Sequence, residues 1–303
     1  MKILNKIKSI NSYLYRNFFI PRLYDYRDRD ILKKNLGIKN IHPSKRCFII
    51  GNGPSVSDLD LGRLKNEYTF VMAEFEKNIQ ATKLQPKFHI ITDSVYFTEG
   101  LTEYWPARFR AKDKEISPDT TMIINLAAKS FVEKYNLFKK HRVYYVGTQG
   151  IFTDNLPFNI NLDHYVPYPK NSALMCMMTA VWMGFNEIYL LGCEHNFLSH
   201  NMGYGKSLSF SHSYDDEIAK LDSTNDEVLK KYIDPKDLKL DYEMTIANIL
   251  QLFRNYRLFY AKARKLHPGL RIFNATPNSF LDVFPMIDFG DIKLQVESRK
   301  LKV

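Results

Sequence analysis

Seven short apolar runs, most of them rich in β-branched or aromatic residues, constrain the fold of this chain most strongly. Several of them are separated by segments long enough to form a helix. Strands that alternate with helices predict a parallel sheet covered by helices on both faces. The sequence therefore predicts an α/β fold, a Rossmann-like doubly wound parallel sheet. The predicted strands are Cys47–Ile50, Thr69–Met72, Phe88–Thr92, Thr121–Asn125, Val143–Val146, Ile188–Leu191 and Arg271–Asn274.

The residues that directly follow these strands are the first candidates for a functional site. In a doubly wound sheet, ligands bind beyond the carboxyl ends of the strands, near the point where the strand order reverses. Six side chains or turns are singled out in this way: Asn52, Glu74, Asp93, Asn125, Gly147 and Glu194.

The turn after the first strand, Gly51-Asn52-Gly53-Pro54-Ser55, has the composition of a phosphate-binding loop. Gly51 and Gly53 allow positive φ angles and leave N–H groups that a ligand can approach without meeting a Cβ. Pro54 suits the first turn of a helix, and Ser55 is predicted to cap it, so a positive helix end would face an anion. The spacing differs from that of the dinucleotide fingerprint, and no P-loop lysine follows. An ordinary strand-to-helix turn without a ligand is the alternative.

A second helix start is predicted on the same side of the sheet. Ser172 is expected to cap a helix over Ala173–Met183, and Gly184 ends that helix before the next strand. Two positive helix ends that converge on one crevice suit a diphosphate or a phosphodiester.

The net charge of +10 is concentrated at the N-terminus. Residues 1–46 hold twelve Lys and Arg against three Asp, and thus nine of the ten net positive charges. A basic arm on a nearly neutral body favours an anionic surface over nucleic acid as the partner. No apolar run is long enough to span a membrane, and no signal-peptide pattern is present. The three cysteines lack ligand spacing, which indicates reduced core thiols in a cytoplasmic protein.

The arm has the periodicity of a basic amphipathic helix. Its apolar residues are Ile3, Ile7, Ile10, Leu14 and Phe18, and Pro21 is expected to end the segment. Such a helix can lie in a membrane interface, so residues 2–20 are predicted to bind an anionic membrane surface. The alternatives are docking on the protein's own body or on a second subunit of a homo-oligomer.

The remaining chain divides into three parts. Residues 46–195 are predicted to form a Rossmann-like ligand-binding domain, and residues 196–241 form a polar, histidine-rich insertion that is expected to act as an active-site lid. Residues 242–303 supply a long helix, from about Tyr242 to Leu266, and the last strand, which complete the main domain.

Three stretches, taken in order, resemble the bacterial sialyltransferases of glycosyltransferase family 42. They are Gly51–Ser55, Glu187–Glu194 and Thr276–Ser279, and the likeness covers residues 46–290 but not the arm. They also resemble a broader group of polysaccharide-cluster proteins related to 6-hydroxymethylpterin pyrophosphokinase.

The resemblance implies transfer from a CMP-activated nonulosonic acid without an obligatory metal or cofactor. Asn52 and Gly53 would contact the donor phosphate, and Ser172 and Ala173 would contact the cytidine or its phosphate. Glu194 would accept hydrogen bonds from the ribose hydroxyls. Asn278 and Ser279 lie in the last matched stretch and are candidate substrate-binding residues.

The sequence also departs from the sialyltransferase pattern. Glu74 and Asp93 follow the strands after which that family has asparagines, and no histidine lies between His212 and His267. Glu74 is retained as a candidate substrate-binding residue. Because carboxylates disfavour an acidic donor sugar unless they bind hydroxyls or a cation, Kdo, pseudaminic acid or another nucleotide substrate is also compatible.

The leading hypothesis is a CMP-sugar-dependent glycosyltransferase that extends a membrane-linked surface glycan from the inner face of the membrane. His212 is its first candidate general base, followed by His195 and then Asp93. One alternative is a pyrophosphokinase-like enzyme that holds Mg²⁺ with Asp93 and Glu74. The other is a nucleotide-binding membrane-surface protein without catalytic activity.

Overall fold

The computed structural model describes residues 12–78, 80–93, 104–196 and 242–294. In these ranges the chain forms one seven-stranded sheet in which all neighbouring strands are parallel. The strand order is β5-β4-β3-β2-β1-β6-β7. The strands are β1 (Arg46–Ile50), β2 (Tyr68–Met72), β3 (Phe88–Ile91), β4 (Thr121–Asn125), β5 (Val143–Val146), β6 (Glu187–Leu191) and β7 (Arg271–Asn274). Each lies within one residue of its predicted bounds, so the predicted fold class is confirmed.

The α-helices of the described residues lie between these strands or precede them. They are α1 (Ile20–Arg27), α2 (Arg29–Leu32), α3 (Ala81–Leu84), α4 (Tyr104–Glu115), α5 (Lys129–Lys134), α6 (Ser172–Trp182) and α7 (Tyr242–Leu266). A π-helical segment, Tyr15–Phe19, runs directly into α1.

Both faces of the sheet are covered, as successive strand residues point to opposite sides. On one face, Ile49, Phe70 and Ile188 pack in a core that includes α6 and the buried side of α7. On the other face, Phe48 and Tyr189 pack with residues from the short connections that follow β1 and β2. Burial on both faces explains why the strands are continuous apolar runs rather than alternating ones.

The sheet reverses its direction of growth at β1. The chain moves outward from β1 through β2 to β5, then returns to place β6 on the other side of β1. The crevice between the carboxyl ends of β1 and β6 is therefore the topological switch point, the usual ligand position in this class of fold.

The N-terminal segment departs from the predicted pattern. Residues 1–11, with Ile3, Ile7 and Ile10, lie outside the described residues. Leu14 and Phe18 are half-buried, whereas a different stripe is exposed, composed of Tyr15, Phe19, Leu23 and Tyr26.

Pro21 was expected to end the N-terminal helix, and that prediction is wrong. Pro21 lies in the first turn of α1, immediately after the π-helical segment. A proline is tolerated at the start of an α-helix because its missing N–H is not needed there. None of the described helices is both long and apolar enough to cross a membrane.

Candidate functional site

The carboxyl ends of β1 and β6 are joined by backbone hydrogen bonds. The Gly51 N–H donates to the Leu191 carbonyl at 2.7 Å, and the Gly53 N–H donates to the Gly192 carbonyl at 3.1 Å. The two turns that follow these strands therefore pack directly against each other at the switch point.

Glycine is required here by close packing rather than by positive φ. Gly53 has φ −66°, and Gly51 is likewise outside the left-handed region, so neither residue uses the positive φ angles that glycine allows. A Cβ on Gly51 would overlap the Gly192 carbonyl, and a Cβ on Gly53 would overlap the Glu194 carboxylate. Of the three glycines at this junction, Gly192 alone has a positive φ, of 62°.

The Glu194 carboxylate occupies the position in front of the glycine loop. Its Oε1 accepts a hydrogen bond from the Ser55 N–H at 2.8 Å, and its residue is only 7% exposed. The N–H groups of Gly51 and Gly53 are bonded to β6 and its turn, and the Val56 N–H donates to the Gly53 carbonyl. The anion that this loop holds is thus a carboxylate of the chain itself.

The predicted helix cap at Ser55 is not formed. Gly53 is the cap residue of a five-residue 3₁₀-helix, Pro54–Asp58, and no side chain caps that helix. Ser55 cannot cap this helix, because Pro54 occupies its first position and Ser55 its second.

Three buried polar atoms at this junction have no hydrogen-bond partner among the described residues. They are Asn52 Oδ1, Ser55 Oγ and Glu194 Oε2. The other side of the Asn52 amide is fixed, because Nδ2 donates to the Met72 carbonyl at 3.2 Å. Buried polar groups in native proteins are nearly always hydrogen-bonded, so a cluster of unpartnered acceptors indicates a place for ligand donors.

The turn after β7 braces Glu194 from behind. Ser279 Oγ donates to the Cys193 carbonyl at 2.7 Å and accepts from Asn274 Nδ2 at 2.9 Å. The Phe280 N–H donates to the Glu194 carbonyl at 2.8 Å. The structure therefore places Ser279 in a supporting position, while Asn278 is exposed on the same turn with φ 53°.

His195 belongs to a buried chain of hydrogen bonds. Its Nε2 lies 2.8 Å from the Tyr256 hydroxyl, which also receives a hydrogen bond from Asn171 Nδ2 at 2.8 Å. Burial lowers the pKa of His195 from 6.5 to about 4, so the imidazole is neutral near pH 7. With its Nε2 lone pair directed at Tyr256, His195 is placed to hold the Glu194 turn.

Asn171, rather than Ser172, caps α6. Asn171 Oδ1 accepts the Leu174 N–H at 3.0 Å, so the predicted Ser172 cap is wrong by one residue. Asn and Ser have similar capping strengths, and tertiary bonds to Tyr256 decide between them. Ser172 Oγ instead lies 3.4 Å from Thr92 Oγ1, and Ala173 is buried behind it.

Glu74 is committed to a buried ion cluster at the end of β2. It contacts Arg108, and its Oε1 lies 3.6 Å from Lys112 Nζ. Burial alone would raise the pKa of Glu74, but the charges of Lys112 and Arg108 outweigh it and hold that pKa below its usual value. Lys112 also contacts Glu76 and donates to the Ala73 carbonyl at 2.7 Å.

The other predicted site residues lie apart from this junction or outside the described part of the chain. Asp93 is exposed after β3, and its charge, added to the effect of burial, raises the pKa of Tyr168. His212 and the rest of residues 197–241 are outside the described residues. Within the described ranges, no group of His, Cys, Asp and Glu has the arrangement of a metal site, and the three buried cysteines are free thiols.

Sequence reasoning missed three residues that build this junction. Asn171, Tyr256 and Thr276 hold the Glu194 turn, the last by accepting the Cys193 N–H on Oγ1 at 3.0 Å. Tyr256 carried no local signal because it lies in the apolar stripe of a long helix. Asn171 could have been found, since it directly precedes the predicted cap.

The chain has few similarities to known proteins. No protein-family model matches the sequence, and no curated protein sequence matches it. One solved structure that is similar to the chain is the MAf glycosyltransferase from Magnetospirillum magneticum AMB-1. It is 11% identical, with a TM-score of 0.45, over 89% of this chain and 39% of that protein. The chain thus spans well under half of that protein's length, and a likeness of this degree assigns neither a fold nor an activity.

The neutral buried imidazole of His195 predicts acid sensitivity. A base whose folded-state pKa is lowered contributes stability above its unfolded pKa of 6.5, and that contribution is lost as pH falls towards about 4. The loss is at most about 3 kcal/mol, from about 1.4 kcal/mol per pKa unit. In urea unfolding at about pH 7 and pH 4.5, His195→Gln should therefore lose less stability on acidification than the wild type.

Asn186→Ala provides the control for this comparison, because Asn186 carries no ionisable group and directly precedes β6 at the amino ends of the strands. It should keep the wild-type dependence of unfolding free energy on pH. If His195→Gln keeps it as well, the neutral buried state of His195 is refuted.

Proposed function

We propose that the junction of β1 and β6 binds a nucleotide sugar and that the protein is a glycosyltransferase. The observation that carries this proposal is the cluster of unpartnered buried atoms, Asn52 Oδ1, Ser55 Oγ and Glu194 Oε2, at the switch point. Two of these atoms only accept hydrogen bonds, and the third can do so. A vicinal diol, such as that of a ribose, supplies two neighbouring hydroxyl donors for acceptors of this kind.

The geometry favours a hydroxyl over a phosphate as the nearest ligand group. The Glu194 carboxylate already holds the Ser55 N–H, and a phosphate in the same place would face a buried negative charge. A ribose hydroxyl instead donates to Glu194 Oε2 in a charge-assisted hydrogen bond. This agrees with the ribose-binding role that the sialyltransferase resemblance implies for Glu194, and it moves the donor phosphate away from Gly53.

We assign the donor to the CMP-activated nonulosonic acids or Kdo-type sugars, and the acceptor to a surface glycan. The family resemblance supports this assignment, which requires no obligatory metal. The general base is assigned to His212, because Nε2 of His195 is directed at Tyr256. Asp93, exposed after β3, is the next candidate.

The two alternatives, a pyrophosphokinase-like enzyme and a non-catalytic nucleotide-binding protein, can each be distinguished from a glycosyltransferase. A pyrophosphokinase-like enzyme would use Glu74 as a Mg²⁺ ligand, but both oxygens of Glu74 face Arg108, Lys112 or Lys77. A non-catalytic nucleotide-binding protein would bind CMP without transferring sugar. A transfer assay with a labelled CMP-sugar, run with the wild type and His212→Ala, distinguishes binding from catalysis.

Glu194→Gln tests the site itself. Because it replaces a charged acceptor by a neutral amide, we expect it to weaken CMP binding by about 10- to 100-fold, the effect of losing a hydrogen bond to a charged group. Thermal-shift titration with CMP, CDP, UDP, GDP and ATP, each with and without Mg²⁺, measures this loss and identifies the preferred base.

Glu187→Gln is the matched control, since Glu187 lies at the amino end of β6, the strand that Glu194 follows, and pairs with Arg271. It should leave nucleotide affinity unchanged. Equal affinity of the wild type and Glu194→Gln for every nucleotide would overturn the proposed site.

We also propose that the N-terminal segment binds an anionic membrane surface. One side of the N-terminal helix exposes more than half of each of four apolar or aromatic side chains, Tyr15, Phe19, Leu23 and Tyr26. They lie within the arm that carries most of the net charge. Aromatic and leucine side chains beside basic residues suit a membrane interface. Such attachment would place the enzyme close to a lipid-linked acceptor.

Phe19→Ser combined with Leu23→Ser should reduce binding to vesicles that contain phosphatidylserine. The double variant removes two apolar side chains that the lipid would bury. Co-sedimentation measures the bound fraction. Leu266→Ser, an exposed leucine at the end of α7, is the control and should have no effect. Unchanged binding of the double variant would rule out this stripe as the membrane contact.

A further inference from the structure

Two adjoining cavities lie along the inner side of the N-terminal helix, beyond the carboxyl ends of β4 and β5. Their volumes are about 440 and 380 Å³, and both are lined by Gln149 and Tyr165. None of the residues of the β1–β6 junction lines either cavity. Cavities of this size are typical of small-molecule sites, and two in a row suit an extended ligand.

The groove formed by these two cavities is built on a fixed loop. Residues 147–170 connect β5 to α6 without a helix, and long connections of this kind are often functional. The ends of the loop are tied together, because the Gln149 N–H donates to the Val166 carbonyl at 2.8 Å and the Val166 N–H to Gly147 at 2.9 Å. The middle of the loop is fixed by the buried Asn35, whose Nδ2 donates to the Leu162 carbonyl at 2.6 Å. A groove with such walls is preformed.

The charges around the groove cancel locally. In the smaller cavity, Arg27 pairs with Asp28 at 2.6 Å, and Lys129 pairs with Glu133 at 2.5 Å. In the larger cavity, Asp25 accepts from the Tyr165 N–H and lies 3.4 Å from His164. Arg22 donates to the Phe18 carbonyl and stacks on its ring. A lining of this kind does not select an anion or a cation, and it therefore favours an uncharged ligand.

The groove also presents uncharged polar groups beside apolar faces. The side-chain amides of Gln149 and Asn161 have no hydrogen-bond partner among the described residues, and Asn17 leaves its Oδ1 open while Nδ2 bonds to Tyr13. Phe158 and neighbouring prolines line the same cavity. Amides both donate to and accept from hydroxyl groups, and aromatic and proline rings pack on C–H faces. This combination matches a sugar ring.

We propose that this groove binds an uncharged oligosaccharide, the acceptor end of the glycan, an assignment that rests on the proposed glycosyltransferase function. Buried polar groups order the carboxyl edge of the sheet on the side of the groove that faces the β1–β6 junction. Asn125 Nδ2 donates to the Thr92 carbonyl at 2.9 Å and lies 3.4 Å from Thr148 Oγ1, and Thr92 faces Ser172. The groove and the junction thus lie along the same carboxyl edge, over which an extended glycan would run towards the donor.

Saturation-transfer NMR with the full chain tests this proposal without any donor. The probes are neutral gluco-, galacto- and manno-oligosaccharides from mono- to tetrasaccharides, with hexuronic acid oligomers as the charged set. We expect a neutral probe to bind, with affinity that rises with chain length as the second cavity becomes filled. Gln149→Leu, which keeps the side-chain size, should weaken that binding about fivefold, and the exposed Asn161→Ala should act in the same direction.

Asn186→Ala is the control, because Asn186 lies at the amino end of β6, at the opposite edge of the sheet. It should bind the probe as the wild type does. The proposal is refuted if no neutral probe binds, if only the hexuronic acid oligomers bind, or if Gln149→Leu and Asn161→Ala bind as well as Asn186→Ala.

Together with the labelled CMP-sugar transfer assay, run on the same variants, this experiment separates the inference from the proposed function. Oligosaccharide binding without any CMP-sugar transfer would leave the groove intact and refute the transferase. CMP-sugar transfer to an acceptor whose binding is insensitive to Gln149→Leu and Asn161→Ala would support the transferase and refute the groove as the acceptor site.

Discussion

The hydrogen bond from the Ser55 N–H to the Glu194 carboxylate connects the two turns on which the candidate site depends. It forms only because Gly51 and Gly53 have no side chains, so that the turns after β1 and β6 can meet backbone to backbone. A carboxylate buried at this position is costly unless it is hydrogen-bonded. One of its oxygens is satisfied by the chain, and the other is left open at the switch point of the sheet. The position of the proposed ligand follows from that asymmetry.

The surrounding groups hold this carboxylate in place from two sides. Behind it, Ser279 and Thr276 bond to the backbone of the same turn. Beside it, the chain from Asn171 through Tyr256 to His195 connects α6 and α7 to the turn. Because these groups are neutral, hydrogen-bonded and buried or half-buried, they resist reorganisation when a ligand binds. Preorganisation of this kind is what a site for hydroxyl groups requires.

The sequence predicted the features that depend on local pattern and not those that depend on partners distant in the chain. All seven strands and α7 followed from apolar periodicity and its interruptions. The packing reason for the two glycines was not visible in the sequence, since the neighbours that exclude a Cβ there, Gly192 and Glu194, are about 140 residues away. Glu74 was a candidate substrate-binding residue because it follows a strand, but Arg108 and Lys112 on α4 pair with its carboxylate. Equally, the apolar stripe of the N-terminal segment was shifted by one residue, because the side of a helix that docks is decided by the surface it meets.

The site at the β1–β6 junction is tested most directly by a crystal structure of the protein with CMP. The account predicts that the nucleotide lies over the Gly51–Ser55 turn, with its ribose hydroxyls donating to Glu194 Oε2 and Asn52 Oδ1 while Glu194 Oε1 keeps the Ser55 N–H. A nucleotide that binds elsewhere, or a phosphate that displaces Glu194 from Ser55, would contradict it.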